Sequence, residues 1–223
     1  MKCHFITHGV SDTLWLIFTG WASDEKLFPV FSDMEQDVCI CFDYRTLEWD
    51  IELFRPYREI RVIAWSLGVF VANRILLDSD LPVVQAIAIN GTIYPCDDEK
   101  GIPVAVYDGT EKNLTEENLL KFYRRMCAGA TAYENLLKIN LSFPIPELQD
   151  ALRNIRMVQE KEPSLSGKTI FTEVVIALSD RIFPTKNQQK AWENFPNVRS
   201  EKIAHYDEEM WKKYSMLCRQ QKN

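Results

Sequence analysis

The sequence predicts an α/β fold, a mostly parallel sheet with helices on both faces, and three observations carry that expectation. Short apolar runs recur along the 223 residues, and they are continuous rather than alternating, as suits strands covered on both faces. Helix-like segments separate most of these runs at the spacing of βαβ crossovers. The third observation is a sharp junction, Ala64-Trp65-Ser66-Leu67-Gly68, between a β-branched run and a segment of helical periodicity.

Taken in chain order, residues 14–18 read as a buried strand closed by Thr19-Gly20, and residues 38–42 as a second. Residues 60–64 make a third strand, followed by a helix over 69–77. A fourth strand is expected at 84–89, a fifth at 104–107, a sixth at 174–178 and a last at 198–203. From about residue 111 to 167 helical patterning replaces strands. Leu114-Thr115-Glu116-Glu117 looks like a helix start, Phe143-Pro144-Ile145-Pro146 is a break, and Leu148, Leu152 and Ile155 form a further apolar stripe. A helical insertion between late strands is where a lid would sit; ordinary packing helices are the alternative. The whole chain, 1–223, suits one domain.

Composition narrows the function classes. The chain is 46% hydrophobic and 26% charged with a net charge of −6, which argues against general affinity for nucleic acid or anionic membrane. Met1-Lys2-Cys3-His4-Phe5 lacks the apolar run of a signal peptide, and no run reaches membrane-spanning length. Six cysteines are scattered without a disulfide framework, so a reducing cytoplasm is expected. Cys39 and Cys41 alternate within a strand and should face one side as small hydrophobes. Neither Cys3-His4 nor Cys96-Asp97-Asp98-Glu99 has structural-zinc spacing, and no phosphate-cradling glycine loop follows a strand. No metal and no cofactor are expected.

The junction at Ser66 has the context of a nucleophile elbow: strand, small-x-Ser-x-Gly, helix. So tight a turn needs small residues two positions either side of the serine, and Ala64 and Gly68 are small. A serine hydroxyl needs a base and a carboxylate to orient that base. Of three histidines, His4 and His8 precede the first expected strand, whereas His205 follows the last. Asp180 follows the strand ending near residue 178, and Asp108 competes for the same role. The chain order Ser66, Asp180, His205 is that of α/β-hydrolases. An oxyanion formed by attack on an ester needs preorganised donors. The N–H of Leu67 would be one and that of Trp21, after Gly20, the other.

Phe18-Thr19-Gly20-Trp21, Cys41-Phe42-Asp43-Tyr44, Ala64 to Val69, Asn90-Gly91-Thr92, Pro95 to Pro103 and Phe122 to Cys127 together resemble the BioG group, compact α/β-hydrolases that act as pimeloyl-[acyl-carrier protein] methyl ester esterases in biotin synthesis. The resemblance implies a compact α/β-hydrolase fold with a helical lid. It implies hydrolysis of a methyl ester at the distal end of a pimeloyl chain, with release of methanol. It also implies an acidic acyl carrier protein as partner. Six basic and three acidic residues stand between Lys121 and Arg156, so a local positive surface for that partner is expected at Arg124, Arg125, Arg153 and Arg156. A monomer is expected. In one departure from many hydrolases, Asp207-Glu208-Glu209 follows the histidine closely and would set carboxylates against the ring if they turned inward. An esterase or thioesterase for another acyl group, and a non-catalytic binding protein of the same fold, stay open as alternatives.

Overall fold

The computed structural model describes residues 1–161 and 168–220. Seven strands form one sheet in the order β1-β3-β2-β4-β5-β6-β7. They are β1 (Lys2–Thr7), β2 (Thr13–Phe18), β3 (Asp37–Phe42), β4 (Glu59–Trp65), β5 (Val83–Ile89), β6 (Glu173–Ala177) and β7 (Val198–Glu201). Only β1 runs antiparallel, against β3; every other pairing is parallel. All six residues of β2 are buried, which requires cover on both faces of the sheet. Helix α1 (Leu67–Leu76) packs on β2 and β4.

The chain leaves β2 for β3 and returns across β2 to form β4, so the direction of winding reverses between β2 and β4. Ligands of open α/β sheets bind beyond the carboxyl ends of the strands at such a switch point. Trp21 lies just beyond β2 and Ser66 just beyond β4.

Among the described residues four helices separate β5 from β6: α2 (Val104–Lys112), α3 (Glu116–Met126), α4 (Ala130–Lys138) and α5 (Ile145–Lys161). The helical segment expected from about 111 to 167 is therefore present and starts earlier; residues 162–167 lie outside the described residues. Its early start corrects the strand expected at 104–107. Val-Ala-Val-Tyr has strand composition, but Pro103 supplies a helix-compatible φ and the Asp98 carboxylate accepts the Val104 N–H at 2.9 Å. Only Tyr107 of the four is buried, and Val106 is 46% exposed, a burial pattern that a covered strand could not have. β1 is not among the strands expected from the sequence, and its residues are half-buried or exposed along the sheet edge. Two further helices, α6 (Thr185–Ala191) and α7 (Glu208–Gln220), complete the chain. No helix among the described residues is long and apolar enough to cross a membrane.

Candidate active site

Ser66 sits at the end of β4 with φ 59° and ψ −129°, a left-handed conformation that a non-glycine residue rarely adopts. Three constraints hold it there. Its N–H donates to the Ile89 carbonyl at 2.9 Å, tying the turn to β5. A methyl group on Gly68 would collide with the Thr19 carbonyl and stand 2.6 Å from that of Phe18. A methyl on Gly91 would collide with the Ser66 carbonyl oxygen and stand 2.9 Å from its carbon. The small residue anticipated two positions after the serine is thus required by β2, and Gly91 is a second requirement from behind.

His205 Nε2 lies 2.9 Å from Ser66 Oγ, and His205 Nδ1 lies 2.8 Å from Asp180 Oδ2. The three residues are 139 and 25 positions apart in sequence, yet all are buried. The carboxylate orients the ring with its proton on Nδ1 and leaves Nε2 to accept from the serine. Asp180 is itself held on both oxygens. Its Oδ1 accepts the N–H groups of Ile182 and Phe183 at 2.8 and 2.9 Å, and its Oδ2 accepts from Gln188 Nε2 at 2.9 Å. Asp108, the competing acid, lies on α2 and is bound to Arg156 and Lys112. His4 and His8 are exposed on and beyond β1.

The histidine loop is pinned through its backbone. Trp65 Nε1 and Asn90 Nδ2 donate to the His205 carbonyl at 2.9 and 3.0 Å, and Phe183 stacks on the imidazole at 6.2 Å. The acidic residues after His205 turn away. Asp207 accepts the N–H of Glu209 at the start of α7, while Glu208 and Glu209 bind Lys212. The departure noted in the sequence thus serves as a helix cap. Gln188, Trp65 and Phe183 were not singled out from the sequence. A buried glutamine in a short helix leaves no periodic signal, and Trp65 and Phe183 meet His205 only across the fold.

Trp21 follows Gly20, where a methyl group would meet the Trp65 ring at 3.0 Å and Ser66 Cβ at 3.2 Å. Among the described residues neither the Trp21 nor the Leu67 backbone N–H has an acceptor, and both residues line the pocket that contains Ser66. The Trp21 side chain reaches into the helical segment. Its Nε1 donates to the Leu148 carbonyl at 2.9 Å and its ring meets Phe122 edge-on at 5.0 Å. Tyr123 donates to the Ala22 carbonyl and Tyr107 to that of Leu152. Burial pushes both phenols up in pKa, which keeps them as neutral donors. The helices are therefore bolted to the loop that follows β2.

The pocket at Ser66 has about 470 Å³ of free space, including its mouth. Its walls are mainly apolar, among them Ile102, Val106, Tyr107 and Phe122, with Arg125 and Arg181 also lining it. It shares Val106, Phe122 and both arginines with a wider groove that Lys121 and Arg124 also line. Four basic and no acidic residues line this groove among those described. Arg153 and Arg156 stand apart in character. Arg153 pairs with Glu111 and Asp150, and Arg156 pairs with Asp108 and Glu160. Neither Arg124 nor Arg125 has an ion-pair partner among the described residues.

Comparison with known proteins agrees with this fold. The chain is 43% identical over 199 residues to a malonyl-[acyl-carrier protein] O-methyltransferase of Bacteroides fragilis, a match covering 88% of the chain but 40% of that relative's length. It superposes on the crystal structure of BioG from Haemophilus influenzae with a TM-score of 0.84 and 32% identity, covering 97% of this chain and 99% of the other. A lipase-esterase related protein from Clostridium acetobutylicum has the same fold, with a TM-score of 0.67 at 11% identity over 98% and 97% of the two chains. Residues 1–217 match the family described as pimeloyl-ACP methyl esterase BioG, and the chain belongs to that family.

Proposed function

We propose that this chain is a serine esterase that hydrolyses the methyl ester of pimeloyl-[acyl-carrier protein] methyl ester, yielding methanol and the free distal carboxylate. The observation that carries the proposal is the continuous hydrogen-bonded line Ser66–His205–Asp180, whose serine lines a mainly apolar pocket. As the Ser66 oxygen attacks the ester carbonyl, its proton passes to His205 Nε2. The resulting oxyanion is met by the N–H groups of Trp21 and Leu67, donors of the kind worth about 3–4 kcal/mol each. His205 then protonates the departing methoxide. A water molecule, deprotonated by the same nitrogen, attacks the acyl-serine; collapse of the adduct breaks the bond to Ser66 Oγ, which takes the proton back from His205, and the acid is released. A carrier thioester at the far end of the chain survives because the pocket admits only the distal end.

The basic groove supports the acidic partner. Arg124 and Arg125, beside Lys121 and Arg181, offer positive charge next to the pocket. Arg153 and Arg156 would each have to leave two ion pairs to dock a carrier, so we assign docking to the first pair.

The relative from Bacteroides fragilis carries a methyltransferase name, and that reading is weaker for this chain. More than half of that relative lies outside the matched region. No two of the eight glycines here stand two residues apart, so the G-x-G start of a dinucleotide-type loop is missing.

The test is hydrolysis of methyl-pimeloyl carrier protein by the wild type and Ser66→Ala. Activity in the wild type that falls by about 10⁴ or more in the variant supports the proposal. A folded wild type that is labelled at Ser66 by a fluorophosphonate but leaves this substrate intact is a hydrolase for another acyl group. A wild type neither active nor labelled is a binding protein.

A further inference from the structure

Three cysteines unused by the active site meet at the sheet edge. β1 pairs with β3 so that Cys3 stands directly opposite Cys41, and Cys39 lies two residues along β3 on the same face. Cys3 Sγ is 3.6 Å from Cys41 Sγ, and the three sulfurs all lie within 4.8 Å of one another. Cys39 and Cys41 are buried, whereas Cys3 is half-buried, which gives the cluster one open side.

We propose that Cys3, Cys39 and Cys41 form a three-thiolate binding site for a soft d¹⁰ metal ion, Zn(II) or Cu(I). Three sulfurs about 2.3 Å from one ion stand about 3.8–4.0 Å apart. The cluster reaches that spacing with side-chain movements of about 1 Å or less. Thiolates select ions of this class over Mg(II), Ca(II) or Mn(II). No histidine or carboxylate joins the cluster among the described residues, so the protein supplies three ligands, as suits trigonal Cu(I) or Zn(II) completed by one water. Each sulfur must bind as a thiolate, so metal binding releases protons and affinity falls as pH falls. No sequence spacing announces such a site, because Cys3 is brought to Cys41 only by the β1–β3 pairing.

The test is an anaerobic titration of the reduced full-length chain in two arms. Zn(II) is added in competition with a chromophoric zinc chelator, and Cu(I) in competition with bathocuproine disulfonate. The expected result is one equivalent of metal in at least one arm, weakened at least about a hundredfold by Cys3→Ser and by Cys39→Ala, and unchanged by Cys96→Ser. Cys3 lies on the half-buried edge strand, so Cys3→Ser gives a folded variant even where Cys39→Ala does not. Failure to bind either ion stoichiometrically overturns the site, as does binding that survives Cys3→Ser. A Cys3–Cys41 disulfide formed on oxidation of a chain whose reduced form takes up no metal also overturns it. None of these readouts depends on esterase activity.

Discussion

Asp180→Asn separates the orienting carboxylate from every other feature of the site. Asp180 Oδ1 accepts two backbone N–H groups, from Ile182 and Phe183, so the asparagine must keep its oxygen on that side. Its new NH₂ then replaces Oδ2, where both His205 Nδ1 and Gln188 Nε2 now donate. Gln188 cannot simply flip, because its NH₂ also donates to the Phe183 carbonyl at 2.8 Å. The imidazole can accept from the new NH₂ only as the tautomer with its proton on Nε2. That nitrogen then faces Ser66 Oγ as a donor and can no longer take its proton. The same substitution in the serine protease triad costs about 10⁴ in kcat, or about 5.4 kcal/mol of barrier, and a loss of that size is expected here. The orphaned Gln188 donor should lower stability by about 1–3 kcal/mol. Esterase kinetics on a short aryl ester, with urea unfolding alongside, measure both effects. A folded Asp180→Asn variant within tenfold of wild-type kcat would refute the reasoning and move the orienting role elsewhere.

Gly91→Ala pushes a methyl group into the Ser66 backbone; unfolding measurements should show a loss of about 1–3 kcal/mol, with kcat reduced because the elbow must shift. Arg124→Glu combined with Arg125→Glu should raise KM for the carrier-bound ester while leaving small aryl esters unchanged, whereas equal losses on both substrates would remove the docking role. Arg156→Ala should leave KM for the carrier substrate unchanged and lower Tm slightly, since its partners are Asp108 and Glu160 on its own surface. A pH effect is expected at Asp37. Burial raises its pKa, but hydrogen bonds from Tyr57 and from the N–H groups of Val10, Gly9 and Ser11 outweigh burial and hold it below the ordinary value. A depressed carboxyl stabilises the fold above the unfolded pKa of about 3.9 and loses that contribution as pH falls through the folded value. Tyr57→Phe should therefore cost about 1.5–3 kcal/mol at pH 7 and less below pH 4; an equal deficit at pH 3 and pH 7 would contradict the assignment.

Most of the parallel sheet was legible because continuous apolar runs have few other uses in a chain of this length. The elbow was legible because its demands are local: a strand, a helix and small residues at two fixed positions. The order Ser66, Asp180, His205 could be read, and Asp180 was favoured over Asp108 because it leaves one strand and one helix before the histidine; packing brings the Asp180 carboxylate to the imidazole and Asp108 to Arg156. The helix at Val104–Lys112 shows the limit of composition. Its β-branched residues favour a strand, and the cap from Asp98, six residues earlier, outweighs them. The same limit applies to the proposed carrier surface. Arg153 and Arg156 look like Arg124 and Arg125 in sequence, and ion pairs with Glu111 and Asp108, 42 and 48 residues away, tell them apart. Local chemistry therefore determined the fold class and the strand–turn–helix setting of Ser66. Everything that depends on which distant side chain arrives opposite a given atom was decided by the tertiary structure: the held acid, the Gln188 brace, the basic groove and the cysteine cluster. Hydrogen bonds and ion pairs act over a few ångströms of space, whatever the separation along the chain.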